Sequence, residues 1–318
     1  MGAASGSMRA GLVLVSVAAL IWGTIGVAVS LLYGLAATNP LSIGFLRLLI
    51  AAPALLLVSR IIVGPAFWRV QRPHLWMMTL IGVAFAAYQL CYFAALPRLG
   101  VAAAVMINIC SAPMFTAVLA GLFLRERLQW VTGAALVGAI GGTALLVGGA
   151  PTARGAELWM GAALALSAGL CYSLVVLGSR VVAPHYHPLQ PISMAFTLGA
   201  AVLLPPALAS GLVIAYPPAG WALLLYLGLV PTAFAYVLYL RGLRTVSATV
   251  AAIATLLEPL GSTVLAILLL GERLAPAGIA GAGLLLASMA MLYLGQGGPA
   301  AVEERYQAPV RLRCTRRE

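Results

Sequence analysis

Ten apolar segments, each long enough to cross a lipid bilayer, follow one another along this chain with only short turns between them. A helix needs about 20 mostly apolar residues to span the hydrocarbon core. The segments are 11–31, 40–62, 73–96, 100–124, 130–149, 156–180, 188–210, 219–240, 245–270 and 276–295. Turn-forming residues such as Asn39-Pro40 separate them. The pattern predicts an all-α polytopic membrane protein with ten transmembrane helices.

Composition excludes the other broad classes of protein. Hydrophobic residues make up 63% of the 318 positions and charged residues 8%, whereas globular proteins average about 45–50% apolar and about 25% charged residues. Disordered chains are polar and are excluded as well. The net charge of +11 does not indicate nucleic-acid binding, because no basic stripe with interleaved aromatic residues lies outside the apolar segments. The chain uses Arg and Glu but no Lys or Asp, which is typical of a GC-rich genome and indicates a bacterial cytoplasmic membrane protein.

The distribution of arginine predicts how the chain is oriented. With the N-terminus inside, fourteen Arg fall in inner segments, three (Arg98, Arg154 and Arg273) fall in outer segments, and Arg47 lies within a span. Positive residues concentrate on the cytoplasmic side of membrane proteins. Both termini are therefore expected to be cytoplasmic, with residues 1–10 as the N-terminal segment and 296–318 as an Arg-rich tail that we expect to be disordered.

The chain also contains an internal repeat. A shift of 146 residues places Arg98–Leu128 on Arg244–Leu274 without a gap. The identities include Pro113 with Pro259 and Glu126-Arg127-Leu128 with Glu272-Arg273-Leu274. The repeat unit is five spans, 11–149 and 150–295, and an odd number of spans forces the second copy to enter the membrane inverted. Inverted repeats are typical of secondary transporters with a site near the midplane.

Several motifs are similar to those of one known family. They are Ala19-Leu20-Ile21-Trp22-Gly23-Thr24, Ser111-Ala112-Pro113 ending in Arg125-Glu126-Arg127-Leu128, Pro231-Thr232-Ala233-Phe234-Ala235-Tyr236, and Leu257-Glu258-Pro259-Leu260 ending in Gly271-Glu272-Arg273-Leu274. Over about residues 10–295 the chain resembles the EamA family of the drug/metabolite transporter superfamily. The resemblance implies ten helices, a central cavity lined by both halves, peripheral fifth and tenth helices, and transport of small metabolites, often the export of amino acids.

Two charged residues share one layer of the predicted membrane core. Arg47 lies about 10 Å inside the outer end of the second span, and Glu258 about 10–12 Å below the outer surface in the ninth. Asn108 and Ser111 of the fourth span lie about 12 and 16 Å deep. A charge at such depth costs about 2.5–3.5 kcal/mol or more, so it indicates a functional site.

The ninth span carries a polar stripe around its carboxylate. Its members recur at helical spacing and are Ser247, Ala251, Thr255, Glu258 and Ser262. A stripe of this kind faces a cavity or another helix. Pro259 has no N–H, so the Thr255 carbonyl loses its helical partner and could help hold an ammonium group or a proton. Pro113 and Pro259 are matched kinks and candidate hinges.

For each of these residues a structural role competes with a functional one. Glu258 and Arg47 either contact substrate or a coupling proton, or mainly bond to the backbone or to each other. Asn108 is either a ligand or a contact between helices.

Aromatic residues offer a second candidate surface. Trp22 lies about 16 Å into the first span, near the midplane, and could stack on an apolar substrate. Tyr88 and Tyr236 are expected nearer the two faces, where they could close a pocket or simply be part of the core. The remaining aromatic residues are predicted to be interfacial anchors, namely Trp68, Trp76, Trp130, Trp159, Trp221, Tyr92 and Tyr293.

Small residues and histidines complete the candidates. Small residues at four-residue spacing predict close packing of the fifth and tenth spans, within one chain or across a homodimer, and they are Ala134, Gly138, Gly142, Gly278 and Ala282. His74, His185 and His187 are predicted to be solvated loop residues rather than a metal site. A phosphate-binding Gly-x-x-x-x-Gly-Lys loop is absent from the sequence, and no cofactor is expected.

Together these features predict a secondary transporter, not an enzyme, that moves an amino acid, amine or related metabolite by alternating access, with export favoured. Glu258 would bind the coupling proton, and Arg47 would be its electrostatic partner or a carboxylate clamp. Asn108, Ser111 and Thr255 would supply hydrogen bonds. The alternatives are an uncoupled facilitator for sugars or nucleotide-linked compounds, a membrane-embedded enzyme, or a receptor.

Overall fold

Helices make up almost all of the computed structural model, which describes residues 2–124, 130–148, 155–243, 254–255 and 257–295. The helices are α1 Gly2–Gly23, α2 Ile25–Leu35, α3 Pro40–Val63, α4 Arg72–Leu99, α5 Val101–Leu124, α6 Trp130–Gly148, α7 Ala156–Val182, α8 Leu189–Ala209, α9 Pro218–Gly228, α10 Ala235–Gly242, α11 Leu257–Leu270 and α12 Pro276–Gly295. Short 3-10 helices cover Gly64–Trp68 and Ala183–His185, and a π-helix covers Leu229–Phe234. The described residues contain no β-strand.

Ten of the helical stretches are apolar enough to belong in a membrane. Six are long enough to cross one, and they are Arg9–Leu35, Pro40–Trp68, Arg72–Leu99, Ala156–His185, Leu189–Ala209 and Pro218–Gly242. Four described stretches are shorter, namely Val101–Thr116, Gly133–Leu145, Leu257–Leu270 and Pro276–Met291. The predicted all-α polytopic class is thereby confirmed.

Helix packing follows the internal repeat. The first span consists of α1 and α2, and the eighth consists of α9, the π-helix and α10. The repeat predicts that a contact between two spans recurs between the spans five positions later. The third and sixth spans touch through α4 and α7, and their counterparts, the eighth and first, touch through α10 and α1. Likewise the α5–α7 contact has its counterpart in the α11–α1 contact. The α3–α8 and α6–α12 contacts map onto themselves and also occur. Two inverted five-span repeats therefore interlock.

The ends of several predicted spans differ from the observed helices. The first span starts at Gly2 rather than 11 and is interrupted at Thr24. The predicted turn at Pro97-Arg98 is helical, because α4 continues to Leu99 and ends at Gly100, whose φ of 81° favours glycine. Predictions for the 125–129 connection, for the first part of the ninth span and for the 296–318 tail lie outside the described residues.

The two ends of the bundle carry different charged residues. We call the end with Arg69, Arg72 and Arg241 the inner end and the end with Arg98 and Glu272 the outer end, following the predicted orientation. At the inner end His74 is hydrogen-bonded rather than solvated, since its Nδ1 lies 2.8 Å from the Tyr186 hydroxyl. Among the described residues no group of three or more possible metal ligands occurs.

The small-residue faces of α6 and α12 pack against each other within one chain. A β-carbon added to Gly142 would lie 2.9 Å from the Gly281 carbonyl oxygen and 2.8 Å from a Leu285 side-chain carbon. Gly138 meets the Ser288 side chain in the same way. Small residues thus permit close approach of two apolar helices, which is how helices associate without a hydrophobic driving force. The oligomeric state stays a prediction.

Candidate substrate site

Two helix irregularities of opposite repeats meet in the middle of the bundle. The first span is interrupted at Thr24, and the eighth contains the π-helix with Pro231. Trp22 joins them because its Nε1 donates a hydrogen bond of 2.9 Å to the Pro231 carbonyl. Thr24 adds a second link, with its hydroxyl 2.7 Å from the Tyr226 hydroxyl. Discontinuous helices at mid-membrane depth are typical of transporter binding sites.

Arg47 lies next to this junction and is held by two elements, the π-helix and α4. Its side chain is 2% exposed. Nε donates to the Thr232 hydroxyl at 2.7 Å, and Nη1 donates to Gln89 Oε1 at 3.1 Å. The Thr232 hydroxyl in turn donates to the Leu227 carbonyl at 2.7 Å, a five-residue separation that belongs to the π-helix. The guanidinium also lies 5.8 Å above the Phe93 ring, within cation–π range.

Glu258 belongs to the same cluster. Its charge and that of Arg47 lie within electrostatic range of each other, and its side chain is half-buried. α1 approaches α11 closely at this point, because a β-carbon at Gly23 would lie 2.9 Å from the Glu258 carbonyl oxygen and 3.1 Å from the Ser262 nitrogen. Glycine at the helix break therefore lets the first span contact the turn that carries the carboxylate.

Aromatic rings surround the charged pair. Trp22 lies between Tyr236 and Tyr239, each with its ring centroid 5.1 Å away. Tyr88 packs on Tyr172 at 5.3 Å. A series of ring contacts links Tyr88 to Tyr236 through Phe85 and Phe196, with successive centroids 5.4, 4.3 and 5.4 Å apart. The roles of Tyr88 and Tyr236 in closing a pocket from the two faces stay predictions.

Three deeply buried polar atoms lack a hydrogen-bond partner among the described residues. They are Gln89 Nε2, Asn108 Nδ2 and Ser262 Oγ. Gln89 is 0% exposed and Asn108 1% exposed, and the Asn108 amide approaches the Tyr88 hydroxyl without the geometry of a hydrogen bond. Because an unpaired buried donor costs about 1–3 kcal/mol, such atoms need an explanation, and a ligand with acceptor atoms would provide one.

The other predicted residues are placed as follows. Ser111 Oγ donates a hydrogen bond of 3.1 Å to the Asn108 carbonyl. A β-carbon at Gly169 of α7 would lie 2.2 Å from Ser111 Oγ. Ser111 thus contacts α7 rather than Arg47 or Glu258. Thr255 lies one turn before Glu258 and is half-buried. Their roles as ligands, and those of Pro113 and Pro259 as hinges, stay predictions.

Sequence reasoning missed Gln89 and Thr232 as members of the site. Gln89 is the only side-chain amide in the predicted third span, and a lone amide in an apolar span was a usable signal. Thr232 gave no comparable signal, since a single Thr after Pro is common in membrane helices. Its importance depends on the π-helix, which directs its hydroxyl between Leu227 and Arg47.

The burial of the helices around the site differs between the two ends. In the outer part of α5, residues 101–108 are all buried, so no face of that helix is open. On the inner half, residues 175–179 of α7 and 236–240 of α10 are all partly exposed. Five consecutive residues cover every face of a helix, so these two helices are packed less tightly on their inner halves than α5 is on its outer half.

The arrangement offers complementary charges inside an aromatic enclosure. A guanidinium and two buried amide nitrogens can bind carboxylate or carbonyl oxygens, and the Glu258 carboxylate can accept a cation or a proton. Two inverted five-span repeats around a polar cluster are an architecture typical of secondary transporters.

Comparison with known proteins agrees with this architecture. The sequence profile of the EamA-like transporter family matches residues 9–148 and 159–294, and the chain belongs to that family. "Uncharacterized transporter YwfM" of Bacillus subtilis (strain 168) is 30% identical over 283 residues, 87% of this chain and 92% of that protein. A "Probable terminal-alkyne amino-acid exporter" of Streptantibioticus cattleyicolor is 29% identical over 187 residues, 58% of this chain and 61% of that protein.

A solved structure supports the fold alone. One crystal structure matches with a TM-score of 0.64 and 20% identity, and the match covers 89% of this chain and 97% of that one. The family and the names of the relatives indicate a membrane transporter rather than an enzyme.

Proposed function

We propose that this transporter moves a small amphipathic metabolite, an amino acid, an amine or a related compound, across the bacterial cytoplasmic membrane by alternating access. Export is the favoured direction, and both termini are cytoplasmic. The observation that carries the proposal is that Arg47, held by Thr232 and Gln89, and Glu258 lie within electrostatic range of each other between the repeats. The similarity to a protein named as an amino-acid exporter supports the same substrate class.

Each group in the site has a role in this proposal. A substrate carboxylate is bound by Arg47 together with the unpartnered amide nitrogens of Gln89 and Asn108. A substrate ammonium group, or a coupling proton, is bound by Glu258. The aromatic rings around Trp22 contact the apolar part of the substrate. A charge imported into low dielectric is stabilised only when it is paired, which favours substrates with both signs of charge or a proton on Glu258.

Transport in proteoliposomes tests both the substrate class and the coupling. Candidate metabolites are first selected by thermal-shift screening, since a ligand that binds the folded state raises its apparent stability. Flux of the selected compound is then measured with and without an imposed pH gradient, for the parent, for Glu258→Gln and for the control Glu157→Gln. Glu157 is a suitable control because it is an exposed carboxylate at the outer end, outside the site.

We expect the pH gradient to accelerate flux in the parent and in Glu157→Gln, and we expect Glu258→Gln to lose at least about 90% of that acceleration. If Glu258→Gln retains the full response, Glu258 carries no coupling proton. If the parent transports equally well without any gradient, the protein is an uncoupled facilitator. Arg47 is the observation that favours this second candidate, because its charge can offset that of Glu258 without a proton.

A further inference from the structure

Contacts between the repeats form two symmetry-related sets on one side of the bundle. At the outer end the residues around the start of α3 contact the 210–217 segment. Ser42 Oγ accepts a hydrogen bond of 2.9 Å from the Val213 nitrogen, and the Thr38 hydroxyl contacts the Tyr216 hydroxyl. At the inner end Gln190 donates to the Phe67 carbonyl at 2.7 Å. The five-span shift exchanges these two contacts. The second and seventh spans are therefore tied at both ends.

The start of α5 is held by a different kind of contact, at the outer end. Both carboxylate oxygens of Glu272 accept backbone hydrogen bonds, from the Val101 nitrogen at 2.5 Å and from the Ala102 nitrogen at 3.0 Å. Gly100 makes room, because a β-carbon there would lie 3.0 Å from Glu272 Oε1. The carboxylate pairs two free N–H groups at a helix N-terminus and is stabilised by the helix dipole. It therefore joins the second repeat to the helix of the first repeat that carries Asn108.

The part of α5 that follows the Glu272 contact is tightly packed at the outer end of the bundle. Residues 101–108, which follow directly, are buried on every face. Val101 and Val105 pack against Gly26 of α2, where a β-carbon would lie 2.7 Å from the Val101 side chain. Opening a path from the outer end to Glu258 requires this part of α5 to separate from its neighbours, and the N-terminus of α5 is where Glu272 holds it.

We propose that Glu272 is the outer latch of alternating access. Its bidentate bond to the N-terminus of α5 stabilises the state in which the outer end is closed, and release of that bond accompanies opening to the outer end. Glu272 is a positioning residue that does not contact substrate. The inference rests on the alternating-access part of the proposed function and is independent of substrate and coupling.

Side-specific thiol labelling tests the latch without any substrate. The four native cysteines are replaced, and Val105→Cys, a change of little volume, introduces one buried reporter thiol. A charged, membrane-impermeant methanethiosulfonate reagent is applied to whole cells and to inside-out vesicles. The reporter is combined with the native latch, with Glu272→Gln, or with the matched control Glu157→Gln.

We expect slow labelling from the outer side with the native latch, about tenfold faster labelling with Glu272→Gln, and no change with Glu157→Gln. The control loses a carboxylate at the same end, but one that is 67% exposed and forms only a surface ion pair with Arg98. Glu272→Asp is a second variant, which keeps the charge on a side chain one carbon shorter that should not reach both nitrogens, and it should behave like Glu272→Gln.

Three outcomes would overturn the latch. They are equal labelling rates with and without Glu272, an equal increase in Glu157→Gln, or rapid labelling from the outer side in the reporter that keeps Glu272. Should Glu272→Gln fail to accumulate in the membrane, Glu272→Asp decides the question in the same assay. Because no substrate is present, a wrong substrate class would leave these labelling results intact while flux measurements would fail.

Discussion

Replacement of Thr232 by valine should destabilise the protein far more than its size suggests. Valine keeps the branched shape of threonine but has no hydroxyl. Thr232 is fully buried and makes two hydrogen bonds of 2.7 Å, accepting from Arg47 Nε and donating to the Leu227 carbonyl. The substitution leaves a charged donor and a backbone acceptor unpaired at a buried position.

The expected magnitude follows from those two groups. An unpaired buried neutral group costs about 1–3 kcal/mol, and one that bonds to a charge costs more. We therefore expect Thr232→Val to lower the free energy of unfolding by about 2–4 kcal/mol. Thr232→Ser is the matched control, because serine loses only a methyl group and keeps both bonds, at a cost of about 1 kcal/mol.

Thermal unfolding of the purified protein in detergent measures this difference. Thr232→Val should melt several degrees below the parent and below Thr232→Ser. A valine variant that melts together with the serine variant would refute the reasoning, since it would mean that the hydroxyl bonds contribute nothing to the position of Arg47.

Two further substitutions test the packing and the helix junction. Gly82→Ala should lower the apparent melting temperature, because the new β-carbon would lie 2.3 Å from the Ala195 carbonyl oxygen and overpacking costs about 1–3 kcal/mol. Gly34→Ala is the control and should be neutral, because a β-carbon there would have no atom within 4 Å. Equal melting temperatures of the two variants would contradict the close helix contact at Gly82. Trp22→Phe should keep most of the ring packing but lose the hydrogen bond to the Pro231 carbonyl. We therefore expect normal protein levels in the membrane and a substrate flux reduced about tenfold. Unchanged flux would show that the junction between the repeats does not depend on this bond.

The fold class was accessible from the sequence because it depends on properties that sequence displays directly. Segment length decides whether a helix can cross a bilayer, and a repeat of five spans decides that the second copy is inverted. The motif pair around Pro113 and Pro259 then pointed to the family. None of these inferences requires knowledge of which side chains touch.

The candidate site was accessible only in part. Depth along each span placed Arg47, Glu258 and Asn108 in one layer, and the structure brings the first two into electrostatic range and places Asn108 beside Tyr88. Depth does not give the direction in which a side chain points. The structure therefore turns Ser111 toward Gly169 of α7, a contact that depends on a glycine in the other repeat.

The interruptions of the first and eighth spans could not be predicted from local sequence. The break at Thr24 is supported by Tyr226, 202 positions away in the chain, and the Pro231 carbonyl in the π-helix accepts from Trp22. Both spans are apolar enough to be read as continuous helices. Tertiary hydrogen bonds, rather than helix propensity, decide where each helix is interrupted.

The packing of α6 against α12 has a consequence for how the polypeptide could be divided. If the gene were cut in the 149–154 connection, each product would carry one glycine-rich face that is now covered by the other half. Because five membrane crossings leave the two termini of each product on opposite sides of the bilayer, the two products would have to insert with opposite topologies before those faces could meet. Co-translation as a single chain removes that requirement, since the first product's last crossing already places the second at the correct side of the bilayer.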